Sequence, residues 1–347
     1  MTMLPAETET LMFTEAAEAP DVVARQIAAN CPDIKKLGAR LRDLAPRMVF
    51  TCARGSSDHA ATFAKYLFET RLDLATMSQA PSISSIYRDV LPAMKNQPFL
   101  AISQSGQSPD LLLSAEAARQ AGAVIIALVN DVNSPLAKLA DHVIPLHAGP
   151  EKSVAATKSY LASLGALIHL AAEWSGDPAL HQALDTLPQA LRTAWNQDWT
   201  AADSFADAQS LFVLGRGLTL GAAAEAALKF KETAGIHAEA FSLAEVLHGP
   251  MALVKQDFPV LIFAPQDGAA AGLADTVAKF ADRGARLAVA GAKLPDVQLL
   301  PIAEGLDPIT APLVMVQSFY RLMNRIALAR GLNPDQPPML SKVTRTQ

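Results

Sequence analysis

Apolar and polar positions alternate between two periods along this chain. Short aliphatic runs rich in Val, Ile and Leu end in loops, and the loops lead into segments whose apolar residues recur at helical spacing. In the first half this pattern predicts strands over Arg47–Cys52, Pro98–Ser103, Val124–Val129 and His142–Leu146. Helices are predicted over Asp58–Thr70 and Pro109–Gln120, with a long one from about Ala155. The stretch LATMSQAPSISSI reads as a short connecting segment. In the second half the strands are Ser210–Leu214, Val260–Ala264 and Leu287–Ala290, followed by VQLLPI, and the helices are Gly221–Thr233, Gly272–Arg283 and one near Pro312–Arg330. Such alternation implies an α/β fold with mostly parallel sheets covered by helices. Ligands on such sheets bind at the carboxyl ends of the strands.

The two halves repeat. Arg54-Gly55 and Arg216-Gly217 each follow a strand and stand 162 residues apart. At the same offset Gln104 falls on Gln266, Gly106 on Gly268 and Gly122 on Gly284. One offset shared by three strand-to-loop junctions points to a duplicated unit, with the register slipping toward the end of each copy.

Two loops of the first copy are rich in hydroxyls. SQSGQSPD (Ser103–Asp110) follows one strand and RGSSDH (Arg54–His59) another, and each feeds a helix. Glycine turns at helix N-termini present backbone N–H groups and a positive dipole end, which suits a phosphate monoester. Serines in these places also serve as caps and turn residues. The second copy separates the two readings: RGLTLG and PQDGAA have lost nearly all the hydroxyls, although capping would need them equally. The first copy is therefore expected to hold the phosphate.

A second concentration of chemistry lies in EAALKFKETAGIHAEAFSLAEVLHGP (225–250). Glu225, Lys229 and Glu232 share one helical face, while Lys231 points elsewhere. Such a row is commonly an exposed salt-bridge stripe. Here the surrounding alanines, Leu228 and Phe230 make the helix apolar nearly all round, so it should be buried and its charges paired or functional. His237 and Glu239 have no third metal ligand at a recognisable spacing, and no metal site is expected. His248 precedes Gly-Pro and so lies at a turn.

Composition narrows the classes. Of 347 residues, 50% are hydrophobic and 18% charged, enough for a large core and about two domains. A net charge of −5 with no basic stripe argues against a nucleic-acid partner. Cys31 and Cys52 form neither a disulfide framework nor a zinc pattern and read as small buried or half-buried thiols. The acidic N-terminus lacks the form of a signal peptide, and no uncharged apolar run is long enough to span a membrane, so the expected location is the cytoplasm.

ARGSS, SQSGQS, GPEKSVAATKSY, LKFKETAGIHAEAF, LHGPMAL and DQPPMLSK, in this order, together resemble the sugar isomerase (SIS) domain family, and most closely the isomerase half of glucosamine-6-phosphate synthase. The resemblance implies two tandem SIS domains of flavodoxin-like form: an N-terminal segment 1–25, a first domain 26–195, a second 196–330, and a tail 331–347 that closes the site. It implies that Gly55, Ser56, Ser57, Ser103, Gln104, Ser105 and Ser108 surround the sugar phosphate, with Arg54, Val154, Ala156 and Glu225 among the substrate residues. Arg54 stands where the synthase has cysteine, and Ala156 where the family commonly has serine. The resemblance further implies that Glu232 shuttles the proton between C1 and C2, with Lys229 beside it. It also implies that His248 opens the sugar ring, reaching in from a neighbouring subunit of a homodimer, and that Lys342 forms a Schiff base with the ketose. No cofactor is implied.

Synthases of this kind begin with a glutaminase domain whose nucleophile is an N-terminal cysteine. The second residue here is Thr2, so glutamine-derived ammonia is not expected. As a free-standing chain with a tail like DQPPMLSKVTRT it resembles the SIS-type glucosamine-6-phosphate deaminases, and the activity this resemblance implies is deamination of glucosamine 6-phosphate to fructose 6-phosphate and ammonia. Alternatives are a deglycase or aldose–ketose isomerase acting on galactosamine or fructosamine 6-phosphate, a sugar-phosphate sensor, and a synthase subunit fed with ammonia.

Overall fold

The computed structural model describes residues 4–338 and 340–342. Thr2 lies outside the described residues, as do Met339 and residues 343–347 of the expected closing tail.

The chain divides into two compact units that are discontinuous in sequence. One takes in Ala19–Glu151, Lys158–Pro188 and the tail from Ser341. The other takes in the N-terminal segment to Glu18, Lys152–Thr157 and Gln189–Leu340. In chain order the first elements are α1 (Leu11–Ala17), α2 (Ala19–Leu44), β1 (Met48–Cys52), α3 (Ser56–Arg71), β2 (Ala75–Ser78), α4 (Pro81–Ser85), β3 (Pro98–Ser103), α5 (Pro109–Gln120), β4 (Val124–Val129), α6 (Pro135–Leu139), β5 (His142–Pro145) and α7 (Lys158–Ser175). After them come α8 (Pro178–Trp195), β6 (Ser210–Gly215), α9 (Thr219–Ala234), β7 (His237–Ser242), β8 (Pro259–Phe263), α10 (Leu273–Ala281), β9 (Arg286–Ala290), β10 (Gln298–Leu300) and α11 (Ala311–Ala329).

The described residues form two five-stranded sheets with all neighbours parallel, ordered β2-β1-β3-β4-β5 and β10-β9-β8-β6-β7. Both have the same order once the copies are matched, which is the doubly wound, flavodoxin-like arrangement. Met48 and Ser210, Ala75 and His237, and Val124 and Arg286 begin matched strands at the 162-residue offset. The last pair, His142 and Gln298, has slipped, as the sequence suggested.

Parallel sheets need cover on both faces, and the central strands show it: every residue of β3 and β8 is buried. Phe50, Phe99, Ile125 and Leu111 belong to one core, and Phe212, Ile262, Val289 and Phe280 to the other. No helix among the described residues is long and apolar enough to cross a membrane.

The hydrophobic pattern does not reveal β2 and β7. Each is an edge strand with a single neighbour and several residues in contact with solvent, so no apolar run marks it. Helices α2 and α8 are also absent from the sequence pattern, and each has a proline inside it, Pro32 and Pro188. In α2 the buried stripe Val23, Ile34, Leu37 and Leu41 outweighs the roughly 3 kcal/mol that an interior proline costs. Cys31 lies off this stripe and is exposed, which corrects the expectation of a buried or half-buried thiol; Cys52 is buried as expected.

Helices α2 and α7 approach closely at Gly38, where a Cβ would come within 2.5 Å of the Glu173 carbonyl oxygen. Replacing Gly38 by alanine should therefore cost about 1–3 kcal/mol of stability. A urea midpoint unchanged in Gly38→Ala would contradict this packing.

Candidate functional site

In the first sheet the strand order reverses between β1 and β3, which are neighbours with β2 on one side and β4 on the other. The loops leaving these two strands at their carboxyl ends are the hydroxyl-rich ones. Gly55 is the N-cap of α3, and Ser56 and Ser57 are its first two residues. Ser108 is the N-cap of α5, and its side chain makes no capping hydrogen bond, which weakens the plain capping role for this serine. Gln104 and Ser105, in the same loop, are half-buried.

Ser103 has a shaping role. Its Oγ accepts the Gly106 N–H at 3.0 Å and the residue is 8% exposed. Gly106 has φ of +62°, and a Cβ there would collide with the Ser134 hydroxyl, so the turn requires glycine.

Arg54 is held by Asp110 of α5: Nη2 and Nε lie 2.7 and 2.9 Å from Oδ2. This ion pair ties the two loops to each other. Asp110 is 1% exposed, and its other oxygen accepts the Leu111 N–H at 2.8 Å. Burial pushes the nearby Cys52 thiol up to about 12, so it stays protonated.

At the corresponding junction of the second sheet a threonine bonds to the backbone. Thr219 Oγ1 donates to the Phe263 carbonyl at 2.9 Å and accepts the Arg216 N–H at 3.0 Å. The hydroxyl retained there is spent on the backbone.

Helix α9 carries the charged row. Glu225 and Lys229 are fully buried, and the Glu232 side chain keeps 23% of its surface exposed. Lys229 Nζ lies 3.2 Å from Glu225 Oε1 and 2.7 Å from Glu232 Oε2. Tyr320 of α11 donates to Glu225 Oε1 at 3.0 Å. Burial by itself would pull the lysine pKa down; the two carboxylates outweigh it and hold the group above its ordinary value. The ammonium fixes one Glu232 oxygen, and Oε1 has no protein hydrogen-bond partner among the described residues. A partly exposed carboxylate with one oxygen anchored is suited to moving a proton.

In the same unit, His248 is exposed on a turn that follows the short 3-10 segment Glu245–Leu247. Residues 152–157 include Val154 and Ala156, both half-buried, and Ser153, Ala155 and Thr157, all buried. Glu15 of α1 fixes this stretch by accepting the Lys152 and Ser153 N–H groups at 2.5 and 3.1 Å. Asp335 accepts the Leu11 and Met12 N–H groups, both at 2.7 Å, and its carbonyl accepts the Val154 N–H at 3.4 Å.

Lys342 belongs to the unit of the serine loops. Its Nζ lies 3.0 Å from Oε2 of the buried Glu151, which also accepts the Ser159 N–H and hydroxyl at 3.1 and 2.7 Å. One unit thus contains Arg54, Gly55, Ser56, Ser57, Ser103, Gln104, Ser105, Ser108 and Lys342, and the other Val154, Ala156, Glu225, Lys229, Glu232 and His248. Asp110, Glu151 and Tyr320 are partners of these residues that sequence reasoning does not single out. Asp110 and Glu151 lie within the quoted motifs, whereas nothing in the sequence pairs Tyr320 with Glu225.

A family model described as the SIS domain matches residues 45–173 and 204–297. The isomerizing glutamine–fructose-6-phosphate aminotransferase of Methanothermobacter thermautotrophicus is 34% identical over 301 residues, covering 84% of this chain and 50% of that relative. This chain thus matches about half the length of that relative. A candidate phosphosugar isomerase from Silicibacter pomeroyi DSS-3 is 41% identical, with a TM-score of 0.89 over 94% of this chain and 100% of that one. The C-terminal domain of glucosamine-fructose-6-phosphate aminotransferase from Francisella tularensis is 26% identical, with a TM-score of 0.85 over 95% of this chain and 98% of that one.

Replacing Lys229 by methionine would leave Glu225 as an uncompensated buried charge. The expected loss is about 3–5 kcal/mol, read from the urea midpoint, with part of it restored by adding Glu225→Gln. A loss below about 1 kcal/mol would show that the row does not act as a buried network.

Proposed function

The chain belongs to the SIS domain family, and from that premise we propose that it deaminates glucosamine 6-phosphate, taking up water and releasing fructose 6-phosphate and ammonia. The observation that carries this reading is Glu232, a partly exposed carboxylate anchored through Lys229 to the buried Glu225. In this proposal Ser56, Ser57, Ser103, Ser105 and Ser108 receive the phosphate. His248 opens the pyranose, acting across a homodimer interface; its exposure is compatible with that role. Glu232 moves the proton from C2 to C1, which turns the C2 amine into an imine. Water attacks C2 and ammonia leaves, or Lys342 displaces ammonia by transimination and water then hydrolyses the lysine Schiff base, releasing fructose 6-phosphate and the free amine. Glu151 holds the Lys342 amine between turnovers.

Hydrolysis is the favoured direction because water is abundant and free ammonia dilute. A second reading, ammonia-dependent synthesis of the amino sugar, is favoured by the 34% identity to an aminotransferase. The purified chain should be incubated with glucosamine 6-phosphate, and in parallel with galactosamine 6-phosphate, without glutamine. Equimolar ammonia and fructose 6-phosphate from the gluco substrate is the expected result. Amino-sugar formation from fructose 6-phosphate and ammonium, without measurable hydrolysis, would establish the second reading; no turnover in any arm would overturn both. Glu232→Gln should lower kcat by about 10²–10⁴-fold while leaving fructose 6-phosphate binding within a few-fold. Lys342→Ala should remove most of the rate if transimination operates.

A further inference from the structure

Away from the proposed sugar site, two helices of one unit bring together a thiol, an imidazole and a carboxylate. We propose that Cys31, His169 and Glu173 bind one divalent transition-metal ion, with zinc the best match, and that the ion staples α2 to α7.

The geometry is close to what an ion requires. A sulfur of Cys31, a ring nitrogen of His169 and a carboxylate oxygen of Glu173 all lie within 4.8 Å of one another. Ligand atoms bonded to tetrahedral zinc at about 2.0–2.3 Å stand roughly 3.3–3.8 Å apart, so side-chain adjustments of about 1 Å would close the set. His181 of α8 lies outside this set and meets Glu173, its Nε2 3.2 Å from Oε1. Its Nδ1 lies 2.9 Å from the Asp177 carbonyl, which accepts the Nδ1–H, so the imidazole is placed to orient the Glu173 carboxylate.

A second observation points to a ligand. His169 is 3% exposed, and its buried Nδ1 has no hydrogen-bond partner. Buried polar atoms are seldom left unsatisfied, because they forfeit their hydration without return.

Local structure supports the arrangement. His169 and Glu173 are one helical turn apart on α7. Gly38 lets α2 approach the Glu173 carbonyl, and Arg42 of α2 donates to the carbonyls of Glu173 and Trp174. Cys31 is exposed and both Glu173 and His181 are half-buried, which gives an ion access from solvent. A sulfur–nitrogen–oxygen donor set suits zinc over magnesium or calcium, and three protein ligands would leave the fourth tetrahedral position to water.

The test uses the full chain after treatment with a chelator, titrated with cobalt(II) alone. Expected are tetrahedral d–d bands and a near-ultraviolet thiolate-to-cobalt band, both saturating at one equivalent and displaced by zinc. Cys31→Ser should abolish the charge-transfer band and weaken binding at least tenfold, and Cys52→Ser should leave both unchanged. Zinc should also protect Cys31 from a thiol reagent and raise the melting temperature. His169→Ala should likewise lose the site; should that variant fail to fold, the exposed Cys31 still decides the matter. Absence of saturable binding, or binding indifferent to Cys31→Ser, would overturn the proposal and leave an ordinary Glu173–His181 ion pair.

Discussion

A fully buried ammonium between two carboxylates constrains the unit that contains α9 more than any other interaction. Lys229 is surrounded on α9 by alanines and Phe230, and has no solvent to share its charge with. Removing such a charge from water costs several kcal/mol, so Glu225 and Glu232 must both stay close. Glu225 is fixed in turn by Tyr320 of α11. The packing of α11 on α9, through contacts such as Phe230 with Phe319, therefore sets where Glu232 presents its second oxygen. The proton transfer proposed for Glu232 would need such fixed placement, and this helical row supplies it.

The duplicated architecture shows how one topology can be kept while its chemistry is divided. Both sheets have the same strand order, and both reverse that order between equivalent strands. At one reversal the helix starts carry serines, and Arg54 and Asp110 link the loops. At the other, the Thr219 hydroxyl donates to the Phe263 carbonyl and accepts the Arg216 N–H. The same backbone plan thus carries a row of serines in one copy and a single backbone-bonded threonine in the other.

Acidic side chains organise the rest. Glu15 and Asp335 hold the stretch that contains Val154 through backbone N–H and carbonyl groups, and Glu151 holds Lys342. Charge-assisted bonds of this kind fix irregular backbone that no ladder or helix can satisfy. Glu15 and Glu151 are buried, so their own hydration is replaced by these contacts.

The sequence by itself determined the central strands, the helices α3, α5, α7, α9, α10 and α11, the duplication and the serine loops. These features depend on local hydrophobic period and on glycine turns, which act over a few residues. It also determined that α9 is buried, because its apolar residues run nearly all the way round. Edge strands β2 and β7 were illegible because one neighbour and partial exposure leave no apolar signature. Helix α2 was illegible because Pro32 argues locally against it, and only its packing on α7 overrides that preference. Only the tertiary structure decided that Tyr320 meets Glu225, that Glu151 meets Lys342, and that Cys31 lies beside His169 and Glu173. Such pairings join residues distant in sequence, and they follow from how the helices and loops of each unit pack, which no local pattern records.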